Sequence, residues 1–158
     1  MKVIEAELLA DMKRNAAGAP RRRTHHNLHE DLGDAVQRVV IALEPGTYVR
    51  PHRHGEGVWE LFVLLEGACS VLVFSPEGEV LKRADLAEDG ARMAQVPPGA
   101  WHSILATRPG TVAFEVKPGP YRPATDKDFA PWAPAEGEPQ VAAMLVRLEA
   151  AAVGDRLG

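Results

Sequence analysis

Three histidines and one glutamate are spaced for metal chemistry. The run Pro51-His52-Arg53-His54 places two imidazoles at i and i+2, on one face of a strand, with Arg53 on the other. Glu60 opens Glu60-Leu61-Phe62-Val63-Leu64-Leu65, whose apolar content marks a strand inside a sheet. A turn through Gly55-Glu56-Gly57 would lay that strand antiparallel to the His-x-His strand and aim Glu60 at the same interior. His102 follows Pro97-Pro98-Gly99-Ala100-Trp101. Proline sets φ and glycine tolerates positive φ, so this turn fixes the approach angle of the His102 strand. Three neutral imidazoles and a carboxylate suit one divalent transition metal, Fe, Mn, Ni, Co or Zn, and the residues do not choose among these. Four protein ligands leave one or two positions open on a five- or six-coordinate ion, so water, oxygen or a substrate can bind it directly. A closed tetrahedral zinc site would use cysteines, and Cys69 is the only one in the chain.

Weaker candidates surround this set. On a regular strand, parity puts Tyr48 and Arg50 on the face of His52 and His54, and Arg50 suits a carboxylate or phosphate. Glu115 and Lys117 alternate to one face of a late strand and Tyr121 follows. They read either as an ion pair within the sheet or as groups that orient ligands and move protons. Arg21-Arg22-Arg23 reads as a solvated loop. Ser70, Ser75 and Ser103 have no nucleophile-elbow context, so a hydrolase triad finds no support.

These side chains need strands to position them. Ile4, Leu8 and Met12 repeat at helical spacing, and Ala16-Ala17-Gly18-Ala19-Pro20 ends that helix. An irregular basic, His-rich stretch follows. Strands are then expected at Val36 to Leu43, at His52, from Glu60, from Cys69 to Ser75, from Glu79 to Leu86, at Gln95-Val96, from Trp101 to Thr107 and from Thr111 to Lys117. Turns at Pro45-Gly46, Glu66-Gly67, Ser75-Pro76-Glu77-Gly78 and Arg108-Pro109-Gly110 separate them. Short strands broken by Gly and Pro predict an all-β-dominated antiparallel sandwich or barrel with N- and C-terminal helices. Beyond Lys117, Pro118 to Pro134 is proline-rich and aromatic. It is expected to form an ordered strap over the barrel mouth, since proline cannot donate to a ladder. Val141, Met144, Leu145, Leu148 and Ala152 mark one face of a last helix.

With 158 residues the chain suits one domain: helix and arm over 1–35, barrel over 36–117, strap and helix over 118–158. Its 46% hydrophobic and 25% charged residues are those of an ordinary globular protein, and a net charge of −4 argues against a nucleic-acid partner. No stretch approaches the roughly 18 apolar residues that cross a bilayer, and the charged opening residues lack a signal-peptide core. The expectations are therefore no membrane partner and a cytoplasmic location. Cys69, within Cys69-Ser70-Val71-Leu72-Val73-Phe74, reads as a buried, inert thiol.

The site residues resemble the two motifs of the cupins. The first appears as Gly46, five residues, His52-Arg53-His54, five residues, Glu60, six residues, Gly67. The second appears as Gly90, six residues, Pro97-Pro98-Gly99, two residues, His102, with Ala106 where the motif ends in asparagine. A narrower resemblance runs through Arg23-Thr24-His25-His26-Asn27-Leu28-His29, Val36-Gln37-Arg38, Pro45 to His54, Trp59 to Phe62 and Glu115 to Pro134. These strings are similar to those of WbuC-type cupin metalloproteins. The resemblance implies a cupin (double-stranded β-helix, or jelly-roll) barrel, a bound metal, and an arm carrying Asn27 and His29 that caps the site. It also implies a link to O-antigen and lipopolysaccharide sugar synthesis, and, with the apolar faces of both terminal helices, a homodimer paired through sheet edges or flanking strands. Three functions fit these features. One is binding or isomerising, epimerising or oxygenating a small oxygen-rich metabolite such as a sugar or sugar nucleotide. The others are an Fe(II)-dependent dioxygenase and a non-catalytic small-molecule binding or sensing module.

Overall fold

A computed structural model describes residues 1–122 and 127–158. In chain order the elements are α1 (Ala6–Gly18), β1 (Arg23–Asn27), β2 (Val36–Leu43), β3 (His52–Arg53), β4 (Glu60–Glu66), β5 (Ala68–Phe74), β6 (Val80–Ala87), β7 (Met93–Val96), β8 (Trp101–Ala106), β9 (Thr111–Pro118), β10 (Asp128–Phe129) and α2 (Val141–Ala150). The strands form two five-stranded sheets, ordered β1-β2-β9-β4-β7 and β10-β3-β8-β5-β6, and neighbouring strands within each sheet run antiparallel. This is the all-β sandwich with terminal helices that the strand spacing predicts.

Alternation along the strands divides the core into three layers. Ile41, Leu43, Phe62, Leu64, Val71 and Ile104 meet between the sheets. The opposite face of the first sheet presents Val40, Ala42 and Val112 to Met12 and Ala16 of α1. The opposite face of the second presents Leu72, Phe74, Trp101 and Leu105 to Met144 and Leu148 of α2 and to Ala130 and Ala133 of the strap. Strand β8 is covered on both faces, so all six of its residues are buried and its inward positions include His102.

Several elements differ from expectation. The basic, His-rich stretch contains β1, which pairs with β2 from Arg23↔Leu43 to Asn27↔Val39. Its polar residues conceal a strand that exists because β2 offers it a free edge. Strand β4 does not pair with β3. It lies in the opposite sheet between β9 and β7, so residues 55–59 cross the sandwich and Glu60 reaches the histidines from the facing wall. The strap contributes β10, whose Asp128 and Phe129 pair with Arg53 and His52 between flanking prolines. Its segment 123–126 lies outside the described residues. Helix α2 stops at Ala150, and Ala151 rather than Ala152 turns into the core. Arg23 is not solvated, with only 7% of its side chain exposed. It donates to the Tyr48 carbonyl at 2.9 Å and pairs with Glu136 at 2.5 Å.

Candidate metal centre

His52 and His102 are direct partners across the β3–β8 pair, so the register sets their rings 4.4 Å apart, centroid to centroid. His54 closes the group at 5.1 Å from His52 and 5.5 Å from His102. Glu60, on the opposite wall, points its carboxylate between them: Oε2 lies 2.7 Å from His102 Nε2 and Oε1 lies 3.1 Å from His54 Nε2. One ligand atom from each of the four residues falls within 4.8 Å of the others, and all four side chains are buried. The residues brought together by sequence spacing are thus brought together in space.

The backbone orients two of the rings. His52 Nδ1 lies 2.9 Å from the Arg50 carbonyl and His102 Nδ1 lies 3.0 Å from that of Ala100. A carbonyl can only accept, so each Nδ1 carries the proton and each neutral ring turns its Nε2 lone pair inward. His52 Nε2 is buried without a hydrogen-bond partner among the described residues. In the His102–Glu60 contact, a lone pair faces a carboxylate oxygen unless a cation or a second ring proton stands between them. An ion at this point would satisfy both, so the donor set fits a divalent metal.

Electrostatics agree with that arrangement. Burial, then Lys127 and His102, hold the His52 imidazole well below its ordinary pKa, so it is neutral and able to ligate. Burial alone would raise Glu60, but positive charge and donated protons at His102 and His54, whose place a bound cation would take, outweigh it and hold the carboxylate well below its usual range. Glu115 is pushed up to about 8 by burial and by the neighbouring Glu60 carboxylate, against the pull of Lys117 and Lys127. Lys117 Nζ bridges the two, 3.6 Å from Glu60 Oε1 and 3.8 Å from Glu115 Oε1. The expected Glu115–Lys117 contact is therefore present, and Lys117 joins it to the ionised candidate ligand Glu60.

The cluster opens onto a cavity of about 300 Å³ whose lining includes Arg50, Glu115, Tyr121, Lys127 and Phe129 beside His52, Glu60 and His102. Arg50 gives its donors to the Ala133 and Ala130 carbonyls and stacks on Phe129. Tyr48 does not join this lining. Residues 47–50 are not a strand, so the parity argument lapses there. The Tyr48 ring packs with Leu72 and Met144, and its hydroxyl donates to the Pro134 carbonyl at 2.9 Å. Asn27 and His29 line an adjoining cavity with Lys117 and Tyr121 rather than the metal cavity itself. Sequence reasoning missed His25, Lys127 and Phe129. Once β1 is known to be a strand, period-two alternation places His25 on the inner face with Arg23 and Asn27, and this was the available signal.

A family model described as "Domain of unknown function (DUF6016)" matches residues 4–86. No curated protein matches the chain. Among solved structures, CapF with the inhibitor 3-isopropenyl-tropolone is similar at 18% identity and a TM-score of 0.60, over 70% of this chain and 32% of that one. Protein SO0799 from Shewanella oneidensis is similar at 18% identity and a TM-score of 0.54, over 66% and 72%. Oxalate decarboxylase from Bacillus subtilis is similar at 18% identity and a TM-score of 0.50, over 68% and 31%. The chain spans about a third of the CapF and oxalate decarboxylase chains. With the two-sheet topology these likenesses establish the cupin fold. Among the described residues no helix is long and apolar enough to cross a membrane.

Proposed function

Because the chain belongs to the family described as "Domain of unknown function (DUF6016)", a description that carries no activity, we propose a function from the site itself. His52, His54, Glu60 and His102 hold one divalent transition metal, and a small oxygen-rich molecule binds there through the adjoining cavity. The observation that carries this reading is His52 Nε2, a buried lone pair with no partner among the described residues, beside the other three members of the cluster. When bound, the metal supplies a Lewis acid with open positions for substrate oxygens. The chain's own part is to fix the imidazole tautomers through the Arg50 and Ala100 carbonyls and to shield the site with Tyr121 and Phe129. Lys117 and Glu115 stand ready to hold a proton beside the bound molecule.

A sugar or sugar nucleotide is the substrate class suggested by the WbuC-like strings, and O-antigen synthesis the corresponding setting. CapF, in its own name a capsular polysaccharide assembling protein, has the same fold. Under this reading residues 1–158 act as one cupin domain, cytoplasmic and homodimeric. Elemental analysis of freshly purified protein tests the metal. The expected result is about one transition-metal ion per chain, lost in His52→Ala and His102→Ala because each removes a donor. Full occupancy in a His52→Ala/His54→Ala double variant would overturn the assignment.

A further inference from the structure

Beside the metal cavity lies a second one of about 280 Å³, and the two share His25, Glu115, Tyr121 and Lys127 along their common wall. His29 lines the second cavity and is only 6% exposed. His29 Nδ1 lies 3.1 Å from both the carbonyl and the N–H of Arg38; the carbonyl already accepts from the Leu28 N–H at 2.8 Å, whereas the buried N–H needs an acceptor, which Nδ1 supplies. The His29 ring proton therefore sits on Nε2, the far side from Arg38, where it meets no hydrogen-bond acceptor among the described residues. Buried N–H groups are almost always paired, so a donor left open on a cavity wall points to an acceptor that arrives with a ligand. Lys127 adds a cation with no carboxylate within ion-pairing distance among the described residues, whereas Lys117 is engaged with Glu60 and Glu115.

We propose that this second cavity is an anion subsite. A phosphate or carboxylate group accepts hydrogen bonds from His29 Nε2 and Lys127, with Asn27 and Tyr121 as its further polar walls. Because Lys127 and Tyr121 belong to both cavities, one molecule spans them, with its anionic end at His29 and its other oxygens toward the metal. The spanning pose rests on the metal reading above; the anion subsite by itself does not.

The test is calorimetric titration of the full-length chain, metal-loaded and chelator-stripped, with inorganic phosphate and separately with acetate. His29→Phe and Lys127→Met are measured alongside, each with its metal content and unfolding temperature. Saturable binding of at least one anion to both wild-type forms is expected, weakened about tenfold or more in each variant. Selective binding of phosphate or of acetate identifies which group the subsite takes. Absence of saturable binding, binding confined to the metal-loaded form, or binding that both variants retain overturns the proposal. Lys127 is half-buried and outside every strand and helix, so Lys127→Met decides the matter should His29→Phe fail to fold. A wild-type protein without metal would sink the metal reading, while the stripped-protein titration would still judge the subsite.

Discussion

Cys69 sits between the sheets with Phe62, Leu64 and Ile104, and burial, then the Asp85 charge, push its thiol up to about 12. An unfolded thiol ionises near pH 9, so between about pH 9 and 12 the folded chain keeps a proton that the unfolded chain has lost. The thiol's contribution to stability is full below about pH 9 and falls by about 1.4 kcal/mol per pH unit above it. Urea midpoints from pH 8.5 upward, compared with those of Cys69→Ala, should show this extra slope only in the wild type. A thiol reagent at pH 8 should react on unfolding and barely before it. At this scale the four candidate ligands were legible, because i, i+2 geometry on a strand and a Pro-Gly turn leave little freedom. Tyr48 was not, because its placement assumed a regular strand across residues that form a loop pinned by the Thr47 N–H to the Glu44 carbonyl.

Between β4 and β5 the chain reverses at Gly67, whose φ is +81°. A Cβ built there would lie 2.8 Å from Thr111 Cα and 2.7 Å from Thr111 Oγ1. Thr111 Oγ1 donates to the Ala68 carbonyl, so the turn and β9 are locked together at this point. Gly67→Ala combines a left-handed backbone cost with a backbone clash and should destabilise by about 1–3 kcal/mol or more. Chemical denaturation checks it; a variant within about 0.5 kcal/mol of wild type would count against the close approach. Apolar alternation and the Gly and Pro turns made most strands readable in the chain. β1 and β10 escaped because neither is hydrophobic enough to announce itself. Each is held by a neighbour's edge, a long-range pairing that local propensity does not encode. The same limit applied to β4, whose own residues cannot say which sheet it joins.

Across the whole molecule, Leu81 on edge strand β6 and Met93 on edge strand β7 are exposed, and the proposed homodimer would cover such an edge. Light scattering at micromolar concentration should give twice the chain mass, and a monomer would remove that expectation. The strap ties distant parts of the chain to the metal centre. Phe129 pairs with His52 in register, the Ala130 N–H donates to the Pro51 carbonyl at 2.9 Å, and Arg50 donates to Ala130 and Ala133 while its own carbonyl orients His52. Ion binding and strap docking would therefore share one stretch of backbone, and any coupling between them is by linkage equal in both directions. Loading the ion should slow hydrogen–deuterium exchange at the Ala130 amide, and a chelator should speed it. Arg50→Ala, which touches no ligand atom, should then loosen the hold on the ion as well as the strap. The segment past the barrel would in that way act as a latch whose position reports, to anything that reads the surface, whether the centre beneath is charged with metal.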